Sequence, residues 1–522
     1  MTVRNILFIM ADQLRADYLS CYGHPHLQTP AIDSLAAKGL RFSRAFVQAP
    51  VCGPSRMSFY TGRYMSSHGS TWNGVPLRVG EMTIGDHLRP LGARVALVGK
   101  THMTADLAGF SRLGMDLKSY EGVLASECGF EPYERDDGLW ADQPTSTDLA
   151  YNRYLRAQGY AGDNPWHTAA NAGGSETAPL SGWLMRNARE PARVSDEHSE
   201  TAYMTNRAMD FMTEAKDTPW CLHLSYIKPH WPYIAPAPYH AMYGPQDVIA
   251  ANRDERERLD PHPVTAAFMR HEEGVNFSRD EVRQTVIPAY MGLIRQLDDH
   301  LGRMFEWMKT QGLFENTLIV LTSDHGDYLG DHWLGEKELF HEESVRVPLI
   351  IYNPSPEADA TRGQVDDRLV EAIDLAPTFV EAMGGLPAAH ILEGRSLMSA
   401  TTQGASAAWR KAVISECDYA FREARLDLGV SPSAARGYMV RTERWKYIHY
   451  EAFRPQLFDL HSDPRELNDL GEAPELEGVR LQMRDILTDW ALHRRMRVTL
   501  SDEEVARRTG THKSRGMPFG VW

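Results

Sequence analysis

Short apolar runs rich in β-branched residues recur at positions 6–10, 95–98, 221–227, 318–322 and 349–352. Each is bounded by turn-forming residues and reads as a buried strand. Between them the apolar spacing changes to three and four, the period of helices. Thr29-Pro30 ahead of residues 31–38 and Gly39 supplies a cap, a first-turn proline and a terminating glycine. Ser278 and Glu281 have capping-box spacing. They open a long stripe of Ile287, Met291, Ile294, Leu297, Leu301, Met304 and Met308. Pro288 is expected to kink the first turns of that helix. Strands alternating with helices predict an α/β fold on a largely parallel sheet, covered on both faces.

The pattern changes near Gly385. Short strands are predicted at 438–442, 445–450 and 456–460, followed by a helix at about 476–493. This reads as a small antiparallel sheet with a packed helix, so the chain divides into 1–385 and 386–522. Residues 106–200 are rich in Gly, Asp, Pro and Trp with weak periodicity, which predicts an irregular insertion or lid. The tail at 509–522 is basic and then apolar, and reads as either disordered or an oligomer arm. No internal repeats are visible.

Composition narrows the function. A chain of 522 residues with 43% apolar and 24% charged positions is an ordinary globular protein with room for a large core. Its 55 Lys and Arg against 70 Asp and Glu leave a net charge of −15. That argues against a general nucleic-acid or acidic-membrane binder, so anionic substrates must be drawn by a local basic pocket and a metal. Cys21, Cys52, Cys128, Cys221 and Cys417 are odd in number and form no CxxC pair, which favours a reducing compartment. The first apolar run is too short for a signal segment, and no stretch approaches membrane-spanning length. A cytoplasmic enzyme is expected, with the Asn276-Phe277-Ser278 sequon a chance occurrence.

Candidate chemistry gathers where the strands end. The run 6–10 leads into Asp12-Gln13, and the run 318–322 leads into Asp324-His325-Gly326-Asp327. Open α/β sheets place their sites along that carboxyl edge. Either pair alone is better explained by aspartates that cap turns. Together they offer four metal ligands, Asp12, Gln13, Asp324 and His325. One imidazole among oxygens favours manganese, zinc or ferrous iron over calcium. The runs 95–98 and 221–227 lead into Lys100-Thr101-His102 and Lys228-Pro229-His230, and Lys337 follows the Asp324 loop. Loop lysines and histidines are usually solvated, but on one edge they would neutralise a tetrahedral oxyanion and supply an acid. Cys52, followed by Gly-Pro-Ser-Arg56, stands at a predicted helix start, where an anion is favoured and Arg56 lies one turn in. A lone cysteine is more often a structural core residue.

Cys52-Gly-Pro-Ser-Arg56 closed by Thr61-Gly62-Arg63 resembles the activation signature of type I sulfatases. With Asp12-Gln13, Gly99-Lys-Thr-His102, Lys228-Pro-His230, Thr322-Ser-Asp-His-Gly-Asp327 and Lys337, nearly the whole chain resembles the sulfatase branch of the alkaline phosphatase superfamily. It is most similar to the arylsulfatase and phosphonate monoester hydrolase group. Pro238-Tyr-His-Ala-Met-Tyr243 is similar to the phosphonate hydrolases. Leu457-Phe-Asp-Leu460, with Asp463-Pro464 and Glu466, resembles the C-terminal sulfatase signature. The resemblance implies an alkaline-phosphatase-like large mixed sheet flanked by helices, with a smaller C-terminal antiparallel sheet and helix.

It also implies roles. Cys52 is oxidised by a formylglycine-generating or equivalent maturation enzyme, and the hydrated aldehyde is the nucleophile. One divalent metal, manganese first with calcium, zinc or ferrous iron as alternatives, is held by Asp12, Gln13, Asp324, His325 and residue 52. Arg56 and Lys100 hold the hydrated aldehyde, and His102 takes a proton as the covalent ester collapses. His230 and Lys337 contact the oxyanion and leaving group, with Asn73 helping to position it. The implied reaction is hydrolysis of sulfate monoesters, promiscuous toward phosphonate monoesters and phosphodiesters, or primarily the phosphonate reaction. Asp324-His325 is more like the phosphonate hydrolases, whereas Lys100 and His102 are more like true sulfatases. A homo-oligomer, dimer or tetramer, is implied as well. Tyr133, Trp140, Trp166 and Trp183 in the insertion could wall an aryl group, although such residues are more often core.

Overall fold

A computed structural model describes residues 3–138, 148–404, 409–511, 514–518, 520 and 522. Its strands are β1 (Asn5–Ala11), β2 (Leu40–Phe46), β3 (Arg94–Gly99), β4 (Glu131–Arg135), β5 (Ala172–Gly174), β6 (Pro179–Ser181), β7 (Trp220–Tyr226) and β8 (Thr317–Ser323). They continue with β9 (Arg346–Tyr352), β10 (Val365–Asp366), β11 (Val370–Glu371), β12 (Ala412–Asp418), β13 (Arg436–Thr442), β14 (Trp445–Tyr450) and β15 (Phe453–Asp459). The large sheet has the order β10-β2-β9-β8-β1-β7-β3-β4, with β11 also paired to β2.

Parallel pairing holds from β8 through β1, β7 and β3 to β4, and β9 runs antiparallel to both β8 and β2. The sheet is therefore mixed. Its register decides where the chemistry sits. Ala11 is level with Tyr226 on one side and Ser323 on the other, and Gly99 is level with Ser225. The residues that follow these strands thus emerge at one edge.

Alternation along β1 separates two cores. Ile6, Phe8 and Met10 join one apolar cluster, while Leu7, Ile9 and Ala11 join the other. The second lies under the Asp280–Thr310 helix, whose predicted stripe is wholly buried. That helix runs unbroken through Pro288. Its predicted capping box does not form: Ser278 closes the preceding helix, with its hydroxyl donating to the Val275 carbonyl, and Arg279 is the cap. Helix α1 (Pro30–Lys38) has the expected proline and Gly39, but the Thr29 side chain does not cap it. The Asp298 carboxylate from the long helix accepts the Ala31 and Ile32 N–H groups instead.

The C-terminal strands form the sheet β12-β13-β14-β15, antiparallel throughout. Val413, Met439, Ile448 and Phe458 on one face belong to the same apolar cluster as β1. Ile414, Val440, Tyr447 and Leu457 on the other pack with the Glu477–Leu492 helix. The segment 106–200 carries more regular structure than its composition predicts: several short helices, the β5–β6 hairpin and β4 at the edge of the large sheet. Tyr133 lies on β4 against Phe211 and Arg207, Trp166 is buried with its N–H on Glu200, and Trp140 lies outside the described residues. All five cysteines are free. No helix among the described residues is long and apolar enough to cross a membrane.

Candidate active site

Helix α2 (Cys52–Thr61) begins on Cys52 itself, after an extended Val51. Every one of its residues is buried. It ends at Gly62 with φ +64°, where a side chain would run into Leu392 and Ala376. Its first free N–H, that of Gly53, donates to Asn73 Oδ1 at 2.7 Å. Asn73 is thereby fixed beside the start of the helix.

The Cys52 sulfur lies 3.0 Å from His325 Nε2 and 3.9 Å from Asp12 Oδ1. His325 Nδ1 faces the Gly326 carbonyl at 2.8 Å. A carbonyl only accepts, so Nδ1 carries a proton, and Nε2 is the nitrogen that faces the sulfur. Asp12, Cys52, Asp324 and His325 each direct one ligand atom into a volume in which no two are more than 4.8 Å apart, and all four are buried. Ligands at roughly 2.0–2.6 Å around one divalent ion span about that distance. The donor set fits such an ion.

Arg56 ties the group together. Its Nε donates to Asp324 Oδ2 at 2.8 Å and its Nη2 to Asp12 Oδ2 at 3.1 Å. Nη1 donates to the Lys100 carbonyl and to Ser225 Oγ. One guanidinium therefore touches the ends of four adjacent strands. Lys100 Nζ lies 2.5 Å from Asp12 Oδ2. Burial and the neighbouring Cys52 push the Asp12 carboxyl upward, but the charges of Lys100 and Arg56 outweigh them and hold it well below the usual carboxylate range. Burial likewise raises the Cys52 thiol, yet Lys337, His325, Lys100 and a bond from His102 hold it well below its ordinary value. His325 is lowered by burial but carried up to about 9 by Asp324 and Cys52. The pocket stabilises a negative atom at residue 52.

Gln13 occupies the left-handed region at φ +64°. Its side-chain oxygen accepts from Lys337 Nζ at 3.0 Å, and its amide nitrogen reaches Tyr233 and Asp327. Lys337 Nζ also lies 3.4 Å from His230 Nε2. His230 Nδ1 faces the Trp231 carbonyl at 2.6 Å, so its proton is committed there and Nε2 is the acceptor. Burial pushes His230 down to about 3. In this pair Lys337, lowered by burial but raised further by Cys52 and Glu336, holds the protons. His102 sits at φ +56°. Asp137 Oδ1 accepts the N–H groups of Thr101 and His102 and holds that turn.

All eleven residues singled out in the sequence thus stand at or beside one strand edge. Ser225, Asp137, Tyr233 and Asp327 complete the arrangement. Of these only Asp327 lay inside a motif; the others announce themselves through the register of β7 and the closure of loops.

A model of the sulfatase family matches residues 4–386, and a model described as N-sulphoglucosamine sulphohydrolase, C-terminal, matches residues 330–492. The chain belongs to the sulfatase family. Among curated relatives of this sulfatase, the multifunctional alkaline phosphatase superfamily protein PehA of Trinickia caryophylli is 32% identical, over 94% of this chain and 96% of that protein. An arylsulfatase of Clostridium perfringens is 26% identical over 92% and 93%. Among solved structures, the phosphonate monoester hydrolase of Silicibacter pomeroyi superposes with a TM-score of 0.81 at 28% identity, covering 96% of this chain and 98% of that one. The fold is accordingly alkaline-phosphatase-like, and the chain is a hydrolase of sulfate esters by family. Membership generally implies a divalent metal and a formylglycine, and Asp12, Cys52, Asp324 and His325 form a buried group that could hold a metal ion.

Proposed function

We propose that this sulfatase cleaves sulfate monoesters through a formylglycine formed from Cys52, and accepts phosphonate monoesters and phosphodiesters in the same pocket. The observation that carries this reading is the Cys52 sulfur at 3.0 Å from His325 Nε2, on the first residue of a buried helix and ringed by Lys100, Lys337 and Arg56. The metal would be held by Asp12, Asp324 and His325, with residue 52 and Gln13 as further oxygen donors. A bound divalent ion there supplies Lewis-acid polarisation and charge stabilisation. Manganese is the proposed ion, because the set includes an imidazole.

One hydroxyl of the hydrated aldehyde would lose its proton to water and attack sulfur in line with the ester oxygen. The sulfur–oxygen bond to the alcohol breaks, and the departing oxygen takes a proton from Lys337, which His230 holds through its acceptor nitrogen. His102 then removes the proton of the second hydroxyl. The carbon–oxygen bond breaks, sulfate leaves and the aldehyde returns. A serine or unmodified cysteine lacks that second hydroxyl, which is the chemical reason for a modified residue. Asn73 and Lys337 would orient the substrate oxygens, because both face the space beside residue 52.

The phosphonate monoester reaction as the main activity is a second reading, favoured by the likeness to the Silicibacter pomeroyi hydrolase. Sulfate and phosphonate monoesters are both tetrahedral monoanions, so a cationic pocket tolerates either. Intact-protein mass, elemental analysis and a panel of aryl sulfates and aryl phosphonates test all of this. The expected result is an aldehyde mass at residue 52, one equivalent of manganese and a higher kcat/KM on the sulfate. An unmodified thiol in active protein, or calcium as the sole metal, would remove the corresponding part of the mechanism.

A further inference from the structure

His102 is held differently from the other histidines of the site. Its ring bonds Cys52, while its Nδ1 is buried without a hydrogen-bond partner among the described residues. His230 and His325 instead turn Nδ1 to a carbonyl, which fixes the angle of the ring. His102 also stands at φ +56°, a left-handed conformation that a side chain other than glycine enters at a cost. With no bond at the far side of the ring, its aim depends on the backbone.

The strand register supplies what holds that backbone. β4 runs parallel beside β3, with Arg135 level with Gly99. The two chains leave the sheet edge together, and the Asp136 N–H donates to the Gly99 carbonyl. Asp137 then stands beside the turn. Its Oδ1 accepts the Thr101 N–H at 2.9 Å and the His102 N–H at 3.0 Å. Its Oδ2 accepts from Arg135 Nε at 2.9 Å and Nη2 at 2.5 Å. Arg135 also donates to the Met103 carbonyl and to Glu127. Thr101, His102 and Met103 are thus all bonded by this one acid–base pair. Lys100 is anchored separately, by its N–H on the Ser225 carbonyl and its Nζ on Asp12.

We infer that Asp137, braced by Arg135, is a positioning residue that aims His102 and so governs the second half of the reaction rather than the first. This rests on the role proposed for His102 above. That base takes the proton of the remaining hydroxyl as the carbon–oxygen bond breaks. Sulfate departs with the bonding electrons, and the aldehyde re-forms. Attack and alcohol release draw on Arg56, Lys100 and Lys337, and none of these bonds Asp137 among the described residues. A misplacement of about 1 Å costs about 10²-fold in rate, so a loosened turn slows the discharge of the ester selectively.

Asp137→Ala removes the clamp. On 4-nitrophenyl sulfate, kcat should fall about 10–100-fold while kcat/KM stays within about twofold of the parent. Rapid mixing should give a burst of about one equivalent of 4-nitrophenol, and intact mass should show the sulfate ester retained on residue 52. Asp137→Asn keeps an acceptor oxygen for both N–H groups and should lose less. Arg135→Gln, which serves if Asp137→Ala does not fold, should show the burst with a smaller fall in kcat. Equal falls in kcat and kcat/KM without a burst, or no change in either, would overturn the assignment. Hydrogen exchange decides the clamp without turnover. The Thr101 and His102 amides should exchange about tenfold faster or more in Asp137→Ala, and unchanged exchange overturns the proposal. Aldehyde-bearing parent protein that hydrolyses no ester would count against the hydrolase reading, and the exchange rates would still decide whether Asp137 holds the turn.

Discussion

Arg56 has no contact with solvent, and an isolated guanidinium would not survive there. Its bonds to Asp12, Asp324, the Lys100 carbonyl and Ser225 offset the lost hydration, and its planar fork spans both carboxylates at once. Lysine has the charge but not the fork. Arg56→Lys should lower kcat by about 10²–10³ and reduce the metal that co-purifies, as elemental analysis would show. Cys52→Ser should release about one equivalent of phenol and then stall, because the trapped ester has no second hydroxyl. Steady turnover near the parent rate would dismiss the diol step. Asp12, Asp324, His325 and Cys52 were legible as chemistry because strand ends and a helix start are visible in the apolar pattern. Ser225 was not, because nothing local distinguishes a serine near the end of a buried strand. Only its register against Gly99 puts the hydroxyl under Arg56.

Lys100 is aimed by the last residue of β3. Gly99 has φ +108°, and a Cβ there would sit 1.9 Å from the Ser225 carbonyl oxygen on β7. Gly99→Ala should destabilise the fold by about 2 kcal/mol or more and depress activity disproportionately, measurable by denaturant titration alongside kcat. Unchanged activity in folded Gly99→Ala protein would show that this strand end does not position Lys100. Buried strands such as β1 and β8 were readable because they are continuous apolar runs. β2 and β4 were not. β2 carries Arg41, Ser43 and Arg44, and β4 is Glu-Pro-Tyr-Glu-Arg, a half-buried edge whose residues argue against a strand taken alone. Ser278 misleads for the same reason: capping-box spacing is local, while the end of the preceding helix claims the hydroxyl first.

The C-terminal sheet is joined to the catalytic part by ionic groups as well as by a common core. Lys446 on β14 is fully buried, with its Nζ 3.0 Å from Glu342 and 2.6 Å from Glu466. Lys446→Met leaves the buried Glu466 carboxylate without its cation, while Glu342 keeps Arg346 and Arg441, and a loss of about 3–5 kcal/mol in unfolding free energy is expected. Nearby, His332 is paired to Glu257 at 2.6 Å and stacked on His341. Burial alone would lower its pKa, but Glu343 and Glu257 carry it up to about 10 from 6.5. A folded pKa above the unfolded one means stabilisation that is complete below about pH 6.5 and fades as pH climbs toward 10. His332→Gln should therefore cost more thermal stability at about pH 6 than at about pH 10, and an equal loss at both would refute the pairing. A last consequence follows from the 1% exposure of Cys52. Once the native state closes over that sulfur, no modifying catalyst can touch it. On the proposed chemistry, oxidation and folding are competitors in time. The yield of active molecules is settled while the nascent polypeptide is still open, and a variant that collapses faster would be better folded and less often switched on.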